Sequence, residues 1–222
     1  MDHTRHIDIY DVSRVTVDLI GAGGIGATTA MALAKMGVMT LDLYDMDYVG
    51  TENLATQLHK LSDVGSSKTE AITRALEEYA NDVYITSHCE KVDANTIFHA
   101  EFVICAVDNI QTRKEVCKSI TENTTKSSFF SRYFLDARMS AEEFHLYAVD
   151  LMDGDARRKY QAMIDQESDE SIPELACTRK ATIFCAFMAA GHVSNAVKKL
   201  AMGEGHPFSL VHNIKTFTFL AG

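Results

Sequence analysis

A doubly wound α/β fold, its sheet mostly parallel and closed by an antiparallel C-terminal extension, is the architecture this 222-residue sequence predicts. Three observations carry the prediction. Short apolar runs alternate with helical patterns from the first strand onward, and each parallel crossover needs a helix of its own. A glycine turn, "GAGGIG", joins the first apolar run to a pattern of small helical residues. A composition of 46% hydrophobic and 23% charged residues is that of an ordinary globular domain, long enough to bury one core.

The elements follow in order. Val15 to Ile20 reads as a buried strand, and Ala27 to Met36 as a helix closed at Gly37. Met39 to Tyr44 is a second strand, ending at Asp45. Ser66 and Ser67 can cap a helix through "KTEAITRALEEYA". Val83 to Thr86 and Glu101 to Val107 supply two more strands. After Arg113 the pattern changes: Phe144 to Val149 is a strand and Asp155 to Asp165 a helix. Residues 150–174 hold eight acids against three bases, the mark of a solvated connection. A helix from Thr178 to Met202 puts Ile183, Phe187, Ala190, Val197 and Leu200 on one face, for the core or a subunit interface. Two strands around Asn213 close the chain, and nothing reads as a linker between separate domains.

Charge and cysteine usage exclude several classes. A formal charge of −10 argues against nucleic acid, whose phosphates need clustered Lys and Arg, and favours a basic protein partner. The longest apolar stretch, Ala181 to Gly191, is too short for a bilayer, and "MDHTRHIDIY" lacks a secretory apolar region, so a cytoplasmic protein away from membranes is expected. Five cysteines without a Cys-x-x-Cys pair suggest free thiols rather than disulfides or structural zinc. His3 and His6 fall in what reads as a mobile tail.

Gly21, Gly23 and Gly26 satisfy G-x-G-x-x-G and make the predicted sheet Rossmann-like, with an anion expected at the following helix N-terminus. Asp45, nineteen residues beyond Gly26, suits a ribose hydroxyl. Both features fit NAD as well as ATP. The tie breaks at "DMDYVGTENLATQ", which adds Asp47, Asn53 and Gln57 to the same strand ends, where an NAD site needs a single acid. Lys68 then offers a cation for phosphate oxygens, and Asp108, where the fourth strand stops, a carboxylate for a divalent metal.

These segments, with "DVGSSK" (63–68), "VDNIQTR" (107–113) and "ARM" (137–139), resemble the ubiquitin-activating-enzyme-like family that includes ThiF, MoeB and HesA. The resemblance spans roughly residues 14–200. It implies one domain over 1–222, with an ATP-binding half at 1–113 and a carrier-binding and dimer half at 114–222. It also implies adenylation of the C-terminal carboxylate of a ubiquitin-like or sulfur-carrier protein, or a similar peptide, by a homodimer. Gly23, Gly24 and Gly26 would line the phosphate turn and Asp45 take the ribose. Asn53, Gln57 and Lys68 would hold phosphate oxygens, and Asp108 Mg²⁺. Cys177 falls where relatives that go beyond adenylation carry a reactive thiol, a buried or incidental cysteine being the competing reading.

Two departures leave alternatives open. Relatives usually carry Asn-Leu-x-Arg-Gln, but Thr56 stands at the Arg, and a hydroxyl supplies neither charge nor fork. Arg5, Arg113 or Arg138 are the candidates to compensate. The absent Cys-x-x-Cys pairs remove the zinc of many relatives. An NAD-dependent oxidoreductase and a non-catalytic nucleotide-binding dimer scaffold stand as the other readings.

Overall fold

The computed structural model describes residues 2–4, 6–80, 82–123, 131–168 and 181–222. Cys177 and Arg5, both singled out above, lie outside them. Eight strands form one sheet: β1 (Thr16–Ile20), β2 (Thr40–Tyr44), β3 (Tyr84–His88), β4 (Phe102–Cys105), β5 (Tyr133–Ser140), β6 (Glu143–Asp150), β7 (Ser209–Asn213) and β8 (Thr218–Ala221). Their order is β3-β2-β1-β4-β5-β6-β7-β8. The first five pair in parallel and β5 to β8 pair antiparallel. Strand order therefore reverses between β1 and β4, where Leu19 stands beside Leu43 on one side and Ile104 on the other. Sheets of this kind open a crevice at such a reversal, beyond the carboxyl ends of the strands.

Helices cover both faces. On one lie α1 (Gly24–Met36), α2 (Lys68–Tyr79) and α5 (Ile183–Ala201), around a core that includes Leu33, Leu41, Leu76 and Val193. On the other, α3 (Ile110–Asn123) and α4 (Gly154–Gln166) pack Val116, Ile120, Tyr160 and Ile164 against Val103 and Phe134. Small residues let α1 and α5 approach closely: Ala27, Ala30 and Ala34 face a stripe with Ala186, Ala189 and Ala196, and Thr28 Oγ1 donates to the Ala186 carbonyl at 3.0 Å. Each fully buried aliphatic side chain in these cores contributes about 1.5–3 kcal/mol.

Local signals worked as chemistry requires. Gly37 ends α1 at φ +84, and Ser67 caps α2 by accepting the Glu70 N–H. Of the face predicted for α5, Ala190 and Val197 are buried together with Cys185, Ala189, Val193 and Ala196, while Phe187 is 54% exposed, outside the core of this chain. Two expectations are corrected. His3 and His6 do not form a loose tail. His3 Nε2 lies 3.1 Å from an Asp82 oxygen and its Nδ1 3.2 Å from His6, whose ring stacks on Tyr10. The connection at 150–174 is not wholly solvated either, since Tyr160 and Ile164 of α4 are in the core. No helix among the described residues is long and apolar enough to cross a membrane.

Candidate functional site: a cleft at the strand ends

The ends of β1, β2, β4 and β5 open into a cleft of about 1030 Å³. Its floor is the glycine turn. Gly21 adopts φ +98, and a Cβ there would meet the Ala106 carbonyl oxygen at 2.7 Å. At Gly26 a Cβ would fall 1.8 Å from the Gly21 oxygen, so only hydrogen fits between turn and helix. Gly23 and Gly24 line the cleft where α1 begins, which turns the positive end of the helix dipole toward it.

Asp45, at the end of β2, holds this turn in place. Its carboxylate accepts the Ala22 N–H at 2.7 Å and the Asp47 N–H at 2.8 Å. Burial raises its pKa, and those two bonds oppose the rise. The loop then runs beside the start of α2, where Lys68 donates through Nζ to Asp47 Oδ2 at 2.8 Å and through its backbone N–H to the Asp47 carbonyl at 3.0 Å. The pairing explains a lysine in a helix first turn, a position the dipole disfavours. Asn53 spends its side-chain oxygen on the Gly50 N–H, leaving its NH₂ as the group it can offer a ligand. Gln57 Oε1 is buried without a partner, and its Nε2 lies beside Gly23. All the residues the sequence proposed for nucleotide and metal, except Gly26 beneath the turn, line this one cleft, Asp108 included. The cap of α3 is Asn109, which accepts the Thr112 N–H at 2.8 Å, so Asp108 is not that cap.

The opposite wall brings Arg113 and Arg138, offered by the sequence as substitutes for the missing arginine, together with Asp136, Tyr147, Tyr160 and Glu167, which the sequence reading missed. Asp136, fully buried on β5, takes Arg113 on one oxygen. Its other oxygen accepts Arg138 Nε at 2.8 Å and the Tyr160 hydroxyl at 2.7 Å. Arg113 also donates to the Val107 and Ala137 carbonyls. Arg138 reaches Glu167 at 2.6 Å, with its guanidinium 5.0 Å from the Tyr147 ring centroid. Arg113, Arg138, Tyr147 and Glu167 all line the cleft. A buried charge network of this kind costs desolvation, and such costs concentrate beside working sites. The sequence-level signals were the segments "VDNIQTR" and "ARM", which carry Arg113 and Arg138 but give no sign of the carboxylate between them.

The lining suits a nucleoside triphosphate. A glycine cradle, a helix N-terminus, the Lys68 ammonium and an orphaned amide oxygen match phosphates and hydroxyls in chemistry. Among the described residues, no group of three or more His, Cys, Asp or Glu side chains could hold a metal alone.

The chain is similar to known proteins in sequence and in fold. The profile described as "ThiF family" matches residues 5–220. The NEDD8-activating enzyme E1 catalytic subunit of Arabidopsis thaliana is 35% identical over 113 residues, 49% of this chain and 24% of that protein. The adenylyltransferase and sulfurtransferase MOCS3 of Aedes aegypti is 33% identical over 107 residues, 46% of this chain and 24% of its own. The chain thus spans about a quarter of these curated relatives. Among solved structures, E. coli MccB with ATP superposes at a TM-score of 0.71 with 16% identity, covering 95% of this chain and 64% of that one. E. coli tRNA N6-threonylcarbamoyladenosine dehydratase, TcdA, does so at 0.63 with 18% identity, over 87% of this chain and 88% of its own.

Proposed function

Because the chain belongs to the ThiF family, we propose that it is an ATP-dependent adenylyltransferase acting on the C-terminal carboxylate of a ubiquitin-like or sulfur-carrier protein, or of a peptide. The observation that carries the reading is the convergence of Lys68, Asp108 and the glycine turn on one cleft. In this reading Gly23, Gly24 and the α1 N-terminus cradle phosphate. Asp45 orients the ribose while keeping the turn rigid. Lys68, Asn53 and Gln57 steady the oxygens on which negative charge grows, and Asp108 holds Mg²⁺ with the substrate. The incoming carboxylate attacks the α-phosphorus, a P–O bond to pyrophosphate breaks, and the acyl-adenylate results. The chain's own contribution is placement and neutralisation of charge.

The names of MOCS3 and of the NEDD8-activating enzyme support a carrier-protein substrate, and the MccB structure titled with MccA supports a peptide. A cytoplasmic homodimer belongs to the same proposal, supported by Phe184 and Phe187, half-exposed on α5. Sedimentation measures its stoichiometry. Onward transfer to Cys177 is a further part, tested by alkylating that thiol after incubation with Mg·ATP and a carrier.

The decisive assay is ATP–pyrophosphate exchange driven by candidate carriers. Lys68→Ala and Asp108→Asn are each expected to lower the exchange rate about 10²–10³-fold. Unchanged rates in both would overturn the assignment of the cleft. Thr56, which lines the cleft where relatives carry Arg, favours a second reading, a scaffold that binds nucleotide without turnover. Tight Mg·ATP binding with no exchange for any carrier would select it.

A further inference from the structure

The cleft has two walls of different chemistry. One is the glycine turn with Asp45, Asn53 and Lys68; the other is built from β5, β6 and the segment after α4. A nucleotide on the first wall leaves the second to the acyl substrate. Arg138 stands there, held on three sides. Its Nε and Nη2 lie 2.8 and 2.6 Å from Asp136 Oδ2, its guanidinium carbon lies 5.0 Å over the Tyr147 ring centroid, and Nη1 lies 2.6 Å from Glu167 Oε2.

The charge balance around Asp136 gives this arrangement a direction. One buried carboxylate faces two guanidiniums, Arg113 and Arg138, and so leaves one positive charge over. Glu167 meets that surplus. Its backbone is secured by Lys114 Nζ, which donates to its carbonyl at 2.6 Å, while its side chain stays 28% exposed and lines the cleft. An arginine fork is shaped for a carboxylate; Asp136 faces its Nε and Nη2, Nη2 is left without a well-formed hydrogen bond, and Glu167 holds Nη1 inside the cleft.

We propose that Arg138 receives the terminal carboxylate of the acyl substrate, and that Glu167 keeps that place until the substrate displaces it. The proposal rests on the adenylation reading for the identity of the second substrate. Arg138 is then a substrate-binding residue, and Glu167 a built-in competitor that sets a threshold for carboxylate binding.

Glycylglycine and glycylglycinamide serve as probes, titrated by saturation-transfer NMR into the full chain as wild type, Glu167→Gln, Arg138→Lys and Glu167→Gln with Arg138→Lys. Removing the competitor is expected to tighten glycylglycine binding roughly ten-fold. The Arg138→Lys exchange, which keeps a charge opposite Asp136 but loses the fork, is expected to reverse most of that gain, and the amide to bind none of the four proteins. Thermal melts establish that each variant is folded. Equal binding of peptide and amide, no gain in Glu167→Gln, or no effect of Arg138→Lys on that gain overturns the proposal. Mg·ATP titrations on the same samples separate the two readings. A glycylglycine pattern as expected without ATP binding leaves the carboxylate site standing and removes adenylation. ATP binding without the pattern removes Arg138 alone.

Discussion

Asp18 sits in the middle of β1, 1% exposed, with one carboxylate oxygen accepting the His99 and Ala100 N–H groups at 3.0 Å each. Burial nevertheless raises its pKa to about 6, against the help of those bonds. The folded protein therefore holds this proton more tightly than the unfolded chain does. Stability from this group is complete below the ordinary carboxylate value and is lost as pH rises through about 6. Two pKa units correspond to about 3 kcal/mol. Asp18→Asn keeps an acceptor for both N–H groups and discards the buried charge. Its urea midpoint at pH 8 is expected above that of the wild type, with the difference vanishing near pH 4. A variant less stable at pH 8 would show that the charge itself anchors the approach to β4.

The strand-turn-helix unit of β1 and α1 is the element on which the cleft depends, and its glycines are not equivalent. Gly26→Ala is expected to lower the melting temperature by roughly 10 °C or more, since the turn and helix cannot both keep their places. Gly24→Ala, whose Cβ would meet the Thr56 oxygen at 3.3 Å, is expected to fold and to bind Mg·ATP more weakly. Differential scanning calorimetry and isothermal titration measure the two effects. This unit was legible in the sequence because its signals are local: a buried strand, three glycines, a small-residue helix and Gly37. So were Ser67 and the pair of C-terminal strands. β5 escaped because Asp136 and Arg138 interrupt its apolar run, and those charges are tolerable only through Arg113 and Tyr160, each more than twenty residues away. A helix after Asp108 was legible but its extent was not, because its buried side is narrow, Val116, Cys117 and Ile120 among polar residues. The face of α5 read as core or subunit interface divides in the structure: Ala190 and Val197 are buried, and close packing on α1 selects alanine and leaves Phe187 outside. For the same reason Lys68 and Asp108 could be proposed one by one, while the charge network opposite them could not.

Across the whole molecule, pH acts on stability in two opposing senses. Burial lowers the pKa values of His59, His192 and His206, so their contributions are present above the ordinary value of 6.5 and lost as pH falls through it. Between pH 6 and 4 the protonation of Asp18 works the other way. Urea titrations from pH 7.5 to 4.5 are expected to show a steeper acid loss in Asp18→Asn than in wild type; parallel curves would count against this opposition. The cleft, too, belongs to the molecule as a whole, since its lining runs from Ile20 to Ala181 and no cut at residue 113 separates it into parts. Asp136 ties β5, α3 and α4 together at two oxygen atoms. Any ligand that tugs on Arg138 is thereby felt by α3, which lines the cleft, and by α4, which does not. Amide hydrogen–deuterium exchange around Arg113 and Tyr160 is expected to slow in step with that of β5 when the cleft is filled, turning the far side of the sheet into a reporter of occupancy.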